Sequence, residues 1–317
     1  MLVKMKLLEA KDLNIFLAKS RTPIVENLSF DVASGEILAL VGESGCGKSL
    51  TGLAIMRLLP SGVEARGKLF FQGKNLFELS QEEMRAIRGG RIAMIFQDPM
   101  VSLNPVFTVG YQVAEVLVLH QKISFKKALE QAASLLAEVG IPAPKERLKS
   151  YPHELSGGMR QRVMIAMALA GNPSLLIADE PTTALDVTIQ AQILELLRKL
   201  RETRDLAILL ISHDLGVVAE LADRVAVMYA GRLVEQASCV ELFKNPLHPY
   251  TKALLEALPQ PGKKSLKALS GHVPPPGARP KGCKFSERCP IAQKRCFEEE
   301  PSLRASGDGH LVRCFYV

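Results

Sequence analysis

The sequence predicts an α/β fold: a mostly parallel sheet covered by helices, with an antiparallel β region before it and a small cysteine-rich extension after it. Three observations predict this. Gly42-Glu43-Ser44-Gly45-Cys46-Gly47-Lys48-Ser49 fits the pattern G-x-x-x-x-G-K-[ST], between an apolar run at 37–41 and a helical pattern at 50–59. Apolar runs of strand length recur at 175–178, 207–211 and 225–228, separated by helix-like stretches. Such alternation implies a parallel sheet buried on both faces, which binds its ligands at the carboxyl ends of the strands. Finally, Pro259, Pro261, Pro274, Pro275, Pro276 and Pro280 crowd a stretch where periodicity stops. This reads as a boundary near residue 259 and a stiff linker wrapping back over the body.

Bulk properties narrow the class. A chain of 317 residues holds one large core plus a smaller piece, and 47% hydrophobic residues exclude general disorder. The longest apolar runs, 163–170 and 206–211, fall far short of the roughly 20 residues a spanning helix needs. Met1-Leu2-Val3-Lys4-Met5-Lys6 is broken by lysines and lacks the apolar segment of a secretory signal. A cytoplasmic protein without a membrane anchor of its own is expected. The net charge of +7 is uneven: residues 261–317 hold 11 Lys and Arg against 5 Asp and Glu. That basic tail suits nucleic acid, an anionic membrane face or an acidic cluster, or is simply solvated.

In chain order, residues 1–35 read as short strands, with alternation in Leu28-Ser29-Phe30-Asp31-Val32. The phosphate loop follows. Its glycines let successive N–H groups turn inward toward phosphate oxygens, and the next helix adds its free N–H groups and positive dipole end. Gly42, Ser44, Gly45, Cys46, Gly47 and Leu50 line this cradle. Lys48 reaches the β- and γ-phosphates, and the Ser49 hydroxyl ligates Mg²⁺. Residues 61–75 read as a hairpin ending at Gln72-Gly73-Lys74-Asn75, and 80–160 as mostly helical, for example 125–139.

Leu175-Leu176-Ile177-Ala178-Asp179-Glu180 is an apolar strand ending in two carboxylates. Asp179 is placed to hold Mg²⁺ through water, and Glu180 to take a proton from the attacking water. Leu155-Ser156-Gly157-Gly158-Met159 precedes a helix at 160–170, a second anion-binding helix start unless Ser156 is simply an N-cap. Two phosphate-binding ends with one hydrolytic site suggest that two chains share each ATP.

Together these residues resemble the ATP-binding subunits of ABC transporters, over essentially the whole chain. The likeness rests on 42–49 (Walker A), Gln97 in Phe96-Gln97-Asp98-Pro99 (Q-loop), 155–159 (signature), 175–180 (Walker B), Ala184-Leu185-Asp186 (D-loop) and Ser212-His213-Asp214 (switch histidine). Ser102-Leu103-Asn104-Pro105, His248-Pro249-Tyr250-Thr251 and the cysteine tail narrow it to the oligopeptide, dipeptide and nickel importer branch.

The resemblance implies a P-loop NTPase core over 1–258, with a helical signature subdomain at about 98–160, and a Pro-rich linker and Cys-rich extension over 259–317. Glu180 becomes the general base and His213 a γ-phosphate contact. Gln97 joins Ser49 at Mg²⁺ and lies near the groove for the permease. Ser156, Gly157 and Gly158 close on the partner's ATP. A second, related ATPase subunit, two multispanning permeases and a solute-binding protein are implied partners, at the cytoplasmic face of the inner membrane. Met159 stands where the family pattern has Gln, leaving the Ser-Gly-Gly turn intact. Phe16 is either the adenine-stacking aromatic or a core strand residue. Cys46 takes a free loop position, inert for chemistry or else reactive to thiol reagents.

Cys283, Cys289, Cys296 and Cys314 crowd the last 35 residues. In a cytoplasmic chain such clustering suggests metal rather than disulfides. There is no C-x₂-C pair as in a zinc ribbon, and Pro290 directly after Cys289 suits a cluster ligand. The stretch also resembles peptide-importer tails that carry a [4Fe–4S] cluster, so a structural cluster is expected, with Zn²⁺ or no metal as alternatives. Cys239 reads as a plain thiol.

These features together point to an ATPase driving peptide import. Nickel or another chelate is an alternative solute. A soluble ATPase acting on DNA or ribosomes is opposed by the lack of a coiled-coil insertion and of a second cassette, so no nucleic acid is expected. The tail features discourage an exporter.

Overall fold

The computed structural model describes residues 5–183, 185–258, 270–307 and 309–317. The start of the expected proline-rich linker, 259–269, and Ala184 of the D-loop lie outside them. The strands are β1 (Lys6–Leu17), β2 (Pro23–Ala33), β3 (Ile37–Val41), β4 (Val63–Phe71), β5 (Lys74–Asn75), β6 (Ile92–Ile95), β7 (Leu175–Asp179), β8 (Ala207–Ser212), β9 (Arg224–Tyr229), β10 (Arg232–Ser238), β11 (Arg304–Ala305) and β12 (Leu311–Val312). Two compact units form. One holds Met1–Ala33, Ile37–Phe77 and Leu210–Val317, the other Ser34–Glu36 and Glu78–Leu209.

The first unit contains a four-stranded antiparallel sheet in the order β2-β1-β4-β5. β1 alternates: Leu8, Ala10, Leu13 and Ile15 are buried between more exposed polar residues. The expected hairpin is β4–β5, turning on Gln72 and Gly73, both at positive φ. Two such residues give the primed turn that matches strand twist. The same unit carries a mixed sheet. β3 runs parallel to β9, β9 turns through Ala230 and Gly231 into antiparallel β10, and β12 continues the sheet beside β10. All five residues of β3 are buried, which explains its unbroken apolar run. The helix expected over 50–59 is Lys48–Ile55, and Arg57, left-handed at φ 51°, lies just past its end.

The tail belongs to this unit and is tied in by charge. Arg232 donates to Glu300 at 2.7 Å and pairs with Glu26 at 3.1 Å, and Arg279 donates to the Ile24 carbonyl at 2.9 Å. Glu235 of β10, fully buried, accepts from the N–H groups of Leu247 (2.7 Å) and His248 (3.0 Å) and lies 2.7 Å from His310 Nε2. Part of the tail's basic charge is therefore spent inside the unit rather than on its surface.

In the second unit β6 pairs in parallel with β7. Its helices include Val109–Gln121, Phe125–Glu138, Gly157–Ala170 and Val187–Arg204, each opened by a side chain that accepts a first-turn N–H: Thr108, Ser124, Ser156 and Asp186. The helix expected from 160 thus starts at Gly157. β8 has its first three residues in this unit and its last three in the other. No helix among the described residues is long and apolar enough to cross a membrane.

Candidate nucleotide site

The loop of residues 42–49 leaves β3 and enters the helix Lys48–Ile55. Gly42, Gly45 and Gly47 have φ of 152°, 81° and 105°. A Cβ on Gly42 would stand 2.2 Å from the Met228 carbonyl oxygen, and one on Gly47 2.4 Å from Val25 Cγ2. Gly45 has open space, so only its backbone angle calls for glycine. Lys48 is 5% exposed and donates to the carbonyls of Gly42 (2.7 Å) and Glu43 (3.1 Å). Ser44 and Gly45 are exposed, while Ser49 and Leu50 are partly so.

Cys46 bears on the two alternatives the sequence left open. It is fully buried, and burial pushes its thiol up despite Lys48 nearby, so it is not an open, reactive position. Phe16 is a buried strand residue, paired in β1–β4 with Glu64. The guanidinium groups of Arg21 and Arg66 lie 5.0 and 5.2 Å from its ring centre.

His213 is exposed just beyond β8. Its turn is fixed on both sides: Ser212 Oγ accepts from Asp214 N–H at 3.0 Å, and Asp214 caps the helix Leu215–Leu221, accepting from Gly216 N–H at 2.7 Å.

In the second unit the structure brings Gln97 and Glu180 together. Asp179 ends β7 and is 5% exposed. The next residue, Glu180, has φ +48°, costly for a side chain of this kind. Its Oε2 accepts from Gln97 Nε2 and from Thr183 Oγ, each at 2.9 Å. Sequence reasoning found Gln97 and Glu180 separately and missed Thr183. The signature turn is also built. Ser156 and Gly157 are exposed at the start of a 14-residue helix, Ser156 Oγ accepting from Met159 N–H at 3.3 Å. A Cβ on Gly158 would stand 2.7 Å from Ile189, so this buried glycine lets the two helices meet.

The iron–sulfur expectation is not upheld. Cys283, Cys289, Cys296 and Cys314 do line one small cavity, with Phe285 and His248. Yet no group of three or more His, Cys, Asp or Glu among the described residues is arranged to hold a metal ion. This removes the zinc alternative as well. Burial pushes the Cys283 thiol up to about 11 and the Cys289 thiol up too. The four thiols pack beside Phe285, Phe315 and Tyr316. Cys239 is buried and its thiol likewise raised by burial, a plain core residue.

Sequence reasoning also gave no role to Tyr250 and Arg288. Tyr250 Oη accepts from the backbone N–H of Glu43, at 2.9 Å, and Arg288 Nη1 donates to the Glu43 carboxylate at 3.0 and 3.2 Å. The motif His248-Pro249-Tyr250-Thr251 was the visible signal for the first; nothing local marks the second.

A glycine loop opening a helix, a buried strand ending in Asp-Glu, and a glutamine held on that glutamate define a phosphate-loop nucleotide hydrolase. Comparison with known proteins agrees. A family profile described as ABC transporter matches residues 25–183, and one described as oligopeptide/dipeptide transporter, C-terminal region, matches 234–296. A probable peptide ABC transporter ATP-binding protein of Sinorhizobium fredii is 53% identical over 316 residues, 98% of this chain and 94% of that one. Oligopeptide transport ATP-binding protein OppD of Bacillus subtilis is 52% identical over 98% of this chain and 89% of its own length. Dipeptide transport ATP-binding protein DppD of Escherichia coli is 50% identical over 98% and 97%. Among solved structures, cbiO1 of Clostridium perfringens, part of the ABC transporter complex cbiONQ, gives a TM-score of 0.65 at 28% identity, covering 76% of this chain and 91% of that one. The ATP-binding cassette MJ0796, a dimer bound to ADP and Pi, gives 0.65 at 25% identity over 73% and 98%. The chain belongs to the ABC transporter family of ATP-binding proteins.

Proposed function

We propose that this chain is the ATP-hydrolysing subunit that powers uptake of di- and oligopeptides across the cytoplasmic membrane, as part of an ABC importer. The observation that carries the hydrolytic half is Glu180, held at a left-handed backbone angle with its carboxylate on Gln97 and Thr183. Strain of this kind persists where surrounding structure overdetermines it, and it aims the carboxylate. The peptide assignment rests on the match at 234–296 and on relatives whose titles name peptide transport.

On this reading Lys48 and the N–H groups of 42–50 hold the ATP phosphates. Ser49, with Gln97 and Asp179, holds Mg²⁺, which would neutralise phosphate charge. Glu180 takes the proton of the attacking water, and His213 contacts the γ-phosphate. The exposed Ser156 and Gly157, with Gly158, close on ATP held by a second, related ATPase subunit. Residues 1–258 form the ATP-binding domain, with a helical signature subdomain at about 98–160, and 259–317 form the extension.

Permease docking has a candidate surface in that subdomain. Phe107 and Tyr111 stack at 4.8 Å, Phe125 lies 5.5 Å from Tyr111, and Met100, Val101 and Val106 are exposed nearby in sequence. Exposed apolar groups gathered like this mark interaction sites. The subunit therefore sits on the cytoplasmic face of the membrane, beneath two multispanning permeases, with a solute-binding protein on the far side.

The test is Glu180→Gln in the assembled importer. Hydrolysis should fall about 10²–10⁴-fold, the range of a lost general base, while ATP stays bound. Hydrolysis at the normal rate would remove Glu180 from the role, and recovery of the chain without permeases would remove the transport reading.

A further inference from the structure

Glu43 is the only acidic residue in the phosphate loop, and the loop pattern does not ask for one. A carboxylate in a cradle for a polyphosphate opposes its ligand. The structure shows how this charge is handled. Arg288, from the C-terminal extension, is 7% exposed at its side chain and places Nη1 on both Glu43 oxygens, at 3.0 and 3.2 Å. The same nitrogen donates to Tyr229 Oη at 3.3 Å, and Nε donates to the Ser270 carbonyl at 2.9 Å. Its guanidinium lies 5.6 Å from the ring centre of Tyr229, which packs with Tyr250 and Phe285 at ring-centre distances of 4.7–5.4 Å.

The Glu43 backbone is pinned as well. Its N–H donates to Tyr250 Oη, and its carbonyl accepts from Lys48. So one residue of the loop is fixed at its amide, its carbonyl and its carboxylate. Two of those three holds come from residues near the end of the chain.

We propose that Arg288 is a positioning residue for ATP. It acts through Glu43, cancelling the negative charge in the loop and fixing the loop's curl, so that the C-terminal extension sets nucleotide affinity. The proposal rests on reading 42–49 as the phosphate loop.

The experiment is titration of a fluorescent ATP analogue into the full-length chain, with thermal unfolding of each variant measured alongside. Arg288→Ala should weaken ATP binding about tenfold, the size of a lost charge pair of about 1.4 kcal/mol. ADP, with one charge fewer, should suffer less. Arg288→Lys should keep most of the affinity. The decisive variant adds Glu43→Gln to Arg288→Ala: removing the uncancelled carboxylate should bring affinity back to within about threefold of the parent. A merely structural arginine would lower the melting temperature, and no second substitution at Glu43 would restore binding. Unchanged affinity in Arg288→Ala, or no rescue by Glu43→Gln, overturns the proposal. If Arg288→Ala does not fold, Arg288→Met keeps the buried stem and is read the same way. Lys48→Ala separates the two readings: if it binds ATP normally the phosphate-loop assignment fails, and if it alone loses binding only the Arg288 proposal fails.

Discussion

At the scale of single residues, the loop glycines separate two reasons for one residue type. Gly42 combines φ 152° with a would-be Cβ 2.2 Å from a backbone oxygen, whereas Gly45 has φ 81° and open space. Gly45→Ala should cost about 1 kcal/mol of backbone strain and leave nucleotide binding measurable. Gly42→Ala must also push β3's exit away from Met228, so it should cost about 3 kcal/mol or more and abolish binding. Denaturant midpoints and nucleotide titration of both variants check this; equal costs would show that the clash is relieved cheaply. The loop itself was legible in the sequence because its geometry demands glycine at fixed spacing. Glu180's left-handed angle was not, since nothing in Asp179-Glu180-Pro181 announces it. Nor was the burial of Cys46, which depends on what packs above the loop.

At the scale of elements, strands with unbroken apolar runs and helices with Ser, Thr or Asp caps were read with small errors at their ends. β10 was missed because Arg232, Glu235 and Gln236 make it look like a surface segment, although six of its seven residues are buried. Its charges are satisfied by partners distant in sequence. The helix Pro249–Glu256 shows the same limit. His248-Pro249-Tyr250-Thr251 stood out as a marker, but its physical purpose is a cap: His248 Nδ1 accepts from Tyr250 N–H at 3.1 Å, and proline fills the first helical position. Complete burial pushes His248 down to about 3, so it stays neutral in the fold. The unfolded chain binds this proton below about pH 6.5 and the folded chain does not. Stability should therefore fall as pH drops from about 6.5 toward 3, at up to about 1.4 kcal/mol per unit from this residue. His248→Asn keeps a capping oxygen and should flatten that slope in urea melts between pH 7 and 5. An unchanged slope would assign the acid sensitivity elsewhere.

At the scale of the molecule, the cysteine-rich tail is the part whose reading changed most. Its spacing suggested a metal staple; its charge suggested an outward basic surface. Its role as seen is inward: β12 extends the mixed sheet, Arg288 braces the phosphate loop, and Arg279, Lys284 and His310 meet Glu26, Glu300 and Glu235. Spacing along a chain cannot reveal such pairings, because each joins residues tens to hundreds of positions apart. Glu235 is the sharpest case. It is fully buried and serves three groups: two backbone N–H donors before the helix Pro249–Glu256, and His310 from the tail. Glu235→Ala strands all of them in a dry interior, and each unsatisfied donor costs about 1–3 kcal/mol, so a loss of roughly 3–5 kcal/mol is expected. Glu235→Gln keeps one acceptor and turns an amide group against an N–H, for about 1–3 kcal/mol. By contrast Glu298→Gln breaks only a 3.8 Å pair with Lys294, 90% and 60% exposed, and should cost under about 0.5 kcal/mol. Hydrogen exchange decides whether the node is local or holds the tail to the body. If it holds the tail, Glu235→Ala raises exchange together at the amides of β10 and β12; if only β12 loosens, the extension is fastened elsewhere, and Arg288 becomes its main attachment.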